Sequence, residues 1–327
     1  MEADIIVDLQ YGDCGKGKIT HQLCKGGDYT HVLRYNGSGN AGHTIIHNGK
    51  QFVTHCIPAG VFFGIKSIIG PGCVVNPDQF FDEIEELERN GISTEGLVYI
   101  AENAHVIMDS HLHEDQGDEK IGTTKQGNGP AYRDKYARDG IRAKTLPCFE
   151  GYLINIYDEF HQSEDVKILC EGAQGFGLDI DWGDYPFVTS SHCTSAGALL
   201  NGIPPRAVRN VWGVAKVYET YVGAKSFEPD EEIFKMIRYH GKEYGATTGR
   251  PRQCNWMNVD LLKKAADING VTHLVFNKVD ILRQVNRWKV IENDDVLDFN
   301  SEEGMKDFLI KELDDIEVFF SDNPNSI

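Results

Sequence analysis

The sequence predicts an α/β fold with a mostly parallel central sheet flanked by helices. Three observations carry that prediction. Short β-branched apolar runs recur at residues 3–9, 31–35, 67–69, 98–100, 166–170, 211–217 and 272–276, each of a length that suits one buried strand. Amphipathic segments with helical apolar spacing lie at 77–90 and 257–267, and strands alternating with helices favour parallel pairing. The first run, ADIIVDL, passes straight into a turn containing Gly12, Gly15 and Gly17 and then a helical stretch from about Lys18 to Lys25.

Pro77 falls near the first turn of the 77–90 helix, where its missing N–H costs nothing. Segment 112–142 is polar and rich in glycine, and reads as a functional loop. Where it begins, His111 and His113 alternate on a polar loop without a third ligand nearby, so both are expected to face solvent. The tail 291–319 is strongly acidic, although 305–313 keeps helical apolar spacing. The pairs Phe62-Phe63, Phe80-Phe81 and Phe319-Phe320 are expected to pack in the core or at its edge. With no internal repeat and no low-complexity linker, 1–327 is treated as a single domain.

A chain of 327 residues, 41% hydrophobic and 25% charged, has the profile of a globular protein with a sizeable core. Its net charge of −18 and pI of about 5.0 repel polynucleotide phosphates, and no local basic patch offsets them. An anionic mononucleotide remains compatible, since a few cationic groups suffice to hold it. No apolar run approaches the ~20 residues of a membrane span. The N-terminus lacks a basic n-region and a cleavage signature, so the expected location is the cytoplasm. The eight cysteines are scattered without a CxxC pair, which predicts reduced thiols rather than disulfides or a zinc site.

Four segments carry candidate chemistry. Gly12-Asp13-Cys14-Gly15-Lys16-Gly17-Lys18 follows the first strand and precedes a helix. Glycines there let backbone N–H groups converge on a phosphate, and Lys16 and Lys18 supply point charges. The spacing is not that of the standard P-loop, and an ordinary glycine-rich turn explains the loop equally well in isolation. His43, within Asn40-Ala41-Gly42-His43-Thr44, is a candidate general acid or a hydrogen-bonded loop residue. Asn277-Lys278-Val279-Asp280 follows an apolar strand. A carboxylate there accepts from both N1–H and the 2-amino group of guanine, a pair adenine does not offer. Gly245 to Arg252, GATTGRPR, sets hydroxyls and two guanidinium groups on one loop. That suits bidentate capture of a small carboxylate, or else a solvated basic loop.

Taken in order, YGDCGKGK (11–18), NAGHT (40–44), IGTTKQGNGPAYRDKYAR (121–138), EGAQGFGLDIDWGDYPFVTSS (171–191), GATTGRPR (245–252) and NKVD (277–280) resemble the landmarks of the adenylosuccinate synthetases. The resemblance implies that family's P-loop-NTPase-like fold and a carbon–nitrogen ligase. Such an enzyme joins L-aspartate to C6 of a purine 5′-monophosphate through a 6-phosphoryl intermediate. It implies catalytic roles for Asp13, His43, Lys16 and Gln174, with Asp13 and Gly42 as ligands of Mg²⁺. Gly12, Gly15, Lys16, Gly17, Lys18, Asn277, Lys278, Asp280 and Asn323 would hold GTP, with ATP and dATP as lesser candidates. Asn40, Thr123, Thr124, Gln174, Thr189, Val222 and Arg250 would hold the purine monophosphate. Arg138 would join them across a homodimer interface. Thr247, Thr248, Arg250 and Arg252 would close over L-aspartate.

The departures from that pattern also carry information. Tyr11 and Cys14 replace the usual Trp and Glu, Pro251 interrupts a run of arginines, and residues 219–230 diverge. The C-terminal guanine-site element is reduced to SDNP at 321–324. VDLQYG and Ser191-His192-Cys193-Thr194 look more like the viral branch that acts on dGMP to make a 2-aminoadenine precursor. Asp13 and NKVD look cellular, the pattern of enzymes acting on IMP. On balance the sequence leans to dGMP, which would place the enzyme in a host cytoplasm. A GTPase switch also fits the glycine loop and NKVD, but leaves His43 and GATTGRPR without a role. A catalytically dead copy would have been free to lose Asp13 or His43.

Overall fold

All seven apolar runs become strands of one sheet. The computed structural model describes residues 1–117, 121–245, 249–323 and 326. The sheet strands are β1 (Glu2–Asp8), β2 (His31–Arg34), β3 (Lys66–Ile69), β4 (Val98–Ala101), β5 (Leu153–Ile154), β6 (Lys167–Glu171), β7 (Val208–Lys216), β8 (His273–Asn277) and β9 (Glu317–Phe320). Their order is β9-β8-β7-β1-β6-β2-β3-β4-β5, and every neighbouring pair is parallel. β1 lies near the middle, with Ile5 opposite Cys170 on one side and Val211 on the other. Past Glu2 every residue of β1 is buried, so apolar residues face both sides of the sheet instead of alternating with exposed ones, and the two acids of the strand, Asp4 and Asp8, are buried with them.

The helices form where capping and apolar spacing agree. Asn76 caps Pro77–Arg89 by accepting from Gln79 N–H at 3.2 Å. Asn258 caps Val259–Asn269 through Leu261 N–H at 2.9 Å, and Gly270 at φ 64° ends it. Ser301 does the same for the tail helix Glu302–Glu312 through Gly304 N–H. The helix after β1 runs Lys16–Gly26, starting two residues before the predicted Lys18, with Gly15 at φ 102° as its N-cap. The three aromatic pairs pack into or against the core as expected.

Segment 112–142 departs from expectation. It is not a plain loop: helices Asp109–Gln116 and Asn128–Ala137 occupy much of it. Beyond a small apolar cluster of Leu112, Ala131 and Tyr132, polar contacts hold the pair and neither helix carries an apolar stripe, which is why periodicity did not reveal them. The Asp115 carboxylate accepts from Thr123 Oγ1 at 3.0 Å and from Gly127 N–H at 2.8 Å. His111 is buried and reaches Asp134 at 3.1 Å, correcting the expectation that it faces solvent. His113 is exposed.

Three smaller sheets stand beside the main one, the least of them a parallel pair of Val74–Val75 with His105–Val106. His43–His47 and Lys50–Thr54 form a hairpin, and Tyr218–Tyr221, Gln253–Asn258, Trp288–Glu292 and Asp295–Phe299 form a four-stranded mixed sheet. The cysteines are all free thiols and only Cys148 is exposed. Among the described residues no helix is long and apolar enough to cross a membrane.

Candidate active site

A cavity of about 1120 Å³ opens where the carboxyl ends of β1, β6, β7 and β8 converge. β1 pairs with β6 on one side and β7 on the other, so the loop after it leaves from a point where the connections diverge. Ligands of open α/β sheets bind at such points. The cavity is lined by Gly12, Asp13, Gly15, Lys16, Gly17 and Lys18, by Asn40, Gly42 and His43, and by Thr123, Thr124, Gln174 and Thr189. Val222, Arg250, Arg252, Asn277, Lys278, Asp280 and Asn323 complete the set drawn from the sequence. Arg138 does not line it; it is exposed at the C-cap of its helix with φ 73°. Thr247 and Thr248 lie outside the described residues.

One buried carboxylate shapes the glycine loop. Asp8, the last residue of β1, accepts from the N–H groups of Gln10, Gly12 and Cys14 at 3.0, 3.2 and 3.1 Å. It also pairs with Lys16 Nζ at 3.1 Å. The loop is therefore wound around an internal anion, and Asp13 is turned out at φ 57°, a conformation that side-chain-bearing residues adopt at a cost. Lys16 is buried, and its ammonium also donates to the Gln174 carbonyl. A Cβ on Gly17 would fall 2.7 Å from His43 Cβ, so glycine is what lets the helix approach the histidine.

His43 is held by two groups that sequence reasoning missed. Glu171, fully buried, takes His43 Nδ1–H in a short contact, Arg34 Nη2–H at 2.9 Å and Ala59 N–H at 3.0 Å. Commitment of Nδ1 to Glu171 leaves Nε2 as the ring nitrogen available to a ligand. Burial, reinforced by the adjacent Arg34, lowers the His43 pKa to about 4. Burial pushes Glu171 upward, yet Arg34 and His43 pull it to about 2. Glu171 stands within a landmark segment, and a charged residue ending a buried strand needs a partner. That reasoning would have singled out both Asp8 and Glu171.

Arg252 bridges two acids. It pairs with Asp13 at 2.8 Å and with Glu243 at 2.5 Å. Glu243 is fully buried and also takes Tyr218 Oη–H at 2.6 Å and Lys216 Nζ at 3.3 Å. Burial opposes its charge, but Lys216, Arg252 and Lys278 hold its pKa at about 2. Arg250 donates to the Gly122 carbonyl from both terminal nitrogens at 3.2 Å.

At the NKVD end, Asn277 braces the glycine loop. It donates to the Cys14 carbonyl at 2.8 Å and accepts from Lys18 Nζ at 2.8 Å. Lys278, at φ 70°, donates to the Gly241 carbonyl at 2.8 Å. Burial lowers Lys278 and raises Asp280, and it lowers Lys18 to about 8.

Asp13 and Gly42 offer the cavity a carboxylate and a backbone carbonyl, hard oxygen donors of the kind Mg²⁺ takes. The group Asp179, Asp181 and His192 also has metal-ligand spacing. The Asp179 oxygens, however, are already taken by the N–H groups of Asp181, Trp182 and Cys193, so this carboxylate shapes its loop.

The adenylosuccinate synthetase family model matches residues 5–163 and 149–319. The adenylosuccinate synthetase of Halothermothrix orenii is 39% identical over 341 aligned positions, covering 88% of this chain and 79% of that protein. That of Chlorobaculum tepidum is 38% identical, covering 92% and 82%. Among solved structures, the fully ligated adenylosuccinate synthetase of Plasmodium falciparum superimposes with a TM-score of 0.89 at 27% identity, covering 99% of this chain and 98% of that one. The succinoaminodeoxyadenylate synthetase of cyanophage S-2L, solved with dGMP and dATP, gives 0.79 at 22% identity over 99% and 93%, a likeness of fold. Matched along nearly its whole length, with its landmark segments folded onto one cavity, the chain belongs to the adenylosuccinate synthetase family and is a carbon–nitrogen ligase.

Proposed function

We propose that the protein joins L-aspartate to C6 of a purine 5′-monophosphate at the expense of GTP. The convergence of the glycine loop, His43, Thr123-Thr124, Arg250, Arg252 and Asn277 to Asp280 on one cavity of about 1120 Å³ carries this reading. That volume exceeds what one small ligand occupies and suits two nucleotides with a small acid. In the first step Asp13 takes the N1 proton and O6 attacks the γ-phosphorus. The bridging P–O bond breaks and GDP leaves. In the second step the α-amine of aspartate attacks C6, the C6–O6 bond breaks, and O6 departs in phosphate.

His43 presents Nε2 to O6 and stabilises charge developing there, while Gln174 and Lys16 orient the reacting groups. Asp13 and Gly42 would hold Mg²⁺, which when bound neutralises charge on the phosphates. Asn277, Lys278 and Asp280 take guanine, with Asn323 at the same end, and Gly12, Gly15, Gly17 and Lys18 take the phosphates. Asn40, Thr123, Thr124, Thr189, Val222 and Arg250 hold the purine monophosphate. Arg252, which here clasps a carboxylate of its own chain, is assigned with Thr247, Thr248 and Arg250 to L-aspartate. Arg138 lies outside its own cavity and is assigned to the site of a second subunit in a homodimer. The chain is taken as one domain acting in the cytoplasm.

For the purine, VDLQYG and Ser191 to Thr194 favour dGMP, which would make the product a precursor of 2-aminoadenine in phage DNA. IMP is the second reading, favoured by Asp13 and by relatives named adenylosuccinate synthetase. Phosphate release from GTP, measured with and without aspartate against IMP, dIMP, GMP and dGMP, tests both levels. Release without aspartate or a monophosphate would return the protein to the GTPase class. Faster turnover of IMP than of dGMP would overturn the finer assignment. Donor choice is read by replacing GTP with ATP or dATP.

A further inference from the structure

Three aromatic rings close around one ammonium beside the cavity. Lys225 Nζ lies 4.7 Å from the Tyr11 ring centre, 5.2 Å from Phe227 and 5.5 Å from Tyr221. Tyr11 meets Phe227 and Tyr221 edge to face, with centres 5.0 and 5.8 Å apart. Asp184 closes the cage, accepting from Tyr11 Oη–H at 2.8 Å and from the Lys225 ammonium. The Asp184 side chain is 42% exposed, so the ion pair alone contributes little. Most of the hold comes from the ring faces on a cation that is largely out of water.

The cage gathers segments that build the site. Tyr11 directly precedes Gly12 and Asp13, and Asp184 shares a loop with Thr189. Tyr221 and Phe227 bracket Val222 to Ala224. That stretch is tied in turn to the Thr123 loop, since Ala224 N–H donates to the Ile121 carbonyl at 3.2 Å. A Cβ on Gly122, at φ 76°, would come within 3.1 Å of Ala224 N. Arg250 donates to that same Gly122. Lys225 itself does not line the cavity, whereas Tyr11, Tyr221 and Val222 do.

We propose that Lys225 is a positioning residue for the purine monophosphate: its caged ammonium fixes the Val222–Ala224 stretch, through which Val222 reaches the cavity, against the Ile121–Gly122 turn and Arg250. The assignment rests on the proposed reading of Val222 and Arg250 as monophosphate-binding residues. Lys225→Met keeps the aliphatic stem and removes the charge, and Lys225→Arg keeps a cation that stacks on rings.

Steady-state kinetics of the wild type and both variants test the idea. In Lys225→Met the KM for the purine monophosphate rises about tenfold, the loss of one desolvated cation–π hold. The kcat and the KM for GTP stay within about twofold, and Lys225→Arg recovers most of the loss. Should Lys225→Met fold poorly, Asp184→Asn loosens the cage from its acidic side and raises the same KM in the same direction. Unchanged KM values, equal rises for all three substrates, or a fall in kcat alone would each overturn the positioning role. A wild type that releases no phosphate in response to a purine monophosphate sinks the proposed function, and this inference with it. A wild type that turns over while Lys225→Met and Asp184→Asn match it sinks only the inference.

Discussion

Replacing Glu171 by glutamine removes one charge from the centre of the histidine network and nearly nothing from its shape. The native carboxylate is fully buried and accepts from Arg34, His43 and Ala59. A carboxamide in the same place has one acceptor oxygen for those three donors, and its own NH₂ faces at least one of them. Arg34, buried with Nε and Nη1 already lacking partners, then loses its carboxylate. Breaking one side of a buried pair costs about 3–5 kcal/mol. His43, already lowered to about 4 with Glu171 opposing the fall, is pushed lower still, and its ring loses the contact that orients Nε2.

The expected outcome is a kcat lower by roughly 10²–10⁴, the usual contribution of a positioned acid–base group, with a reduced denaturant midpoint. Glu171→Asp keeps the charge but withdraws it by one methylene, so it recovers more stability than rate. The assay is aspartate-dependent phosphate release, alongside equilibrium unfolding in urea. A Glu171→Gln enzyme with kcat within about twofold of wild type would refute the claim that this network prepares His43.

Other perturbations separate the remaining claims. Asp280→Asn weakens GTP as donor by roughly 10- to 100-fold, because a charged acceptor for guanine is lost; KM values for GTP and XTP check it, and an unchanged GTP value removes Asp280 from the guanine site. Glu219 is buried, and burial raises its pKa from 4.5 to about 8. Between those values the fold holds a proton that the unfolded chain releases, so stability falls as pH rises from about 4.5 to about 8 and levels off above. Glu219→Gln removes that slope, stabilising the protein at pH 8 more than at pH 5 in thermal unfolding; an equal effect at both refutes the buried neutral acid. Mixing Arg138→Leu with Asp13→Asn subunits recovers about a quarter of wild-type turnover if each site borrows Arg138 from its neighbour in a two-fold dimer, and none if it does not.

Legibility in the sequence followed the kind of interaction involved. Seven of the nine strands of the main sheet were readable because burial on both faces writes itself as a run of mostly apolar residues, as in Ile5 to Val7. β5, only two residues long, left no such trace. Helices Asp109–Gln116 and Asn128–Ala137 were missed because Asp115, His111 and Asp134 hold them by polar contacts without an apolar stripe. In the site, Asp13, His43, Arg252 and NKVD announced themselves as motifs. Arg34, a charge ending a buried strand, carried the same signal as Asp8 and Glu171, whereas nothing local distinguishes Glu243 from a residue expected at the surface.

By itself the sequence determined the α/β class, the run of landmark segments and the residue types available for chemistry, because these depend on local periodicity and on side chains near one another in the chain. Only the tertiary structure decided that Glu171, 128 positions from His43, sets that ring. It alone wound the glycine loop around Asp8, joined Arg252 to both Asp13 and Glu243, and seated Lys225 among Tyr11, Tyr221 and Phe227. A buried charge acquires its partners through the packing of distant strands, and no pattern of neighbouring residues encodes which partners those are.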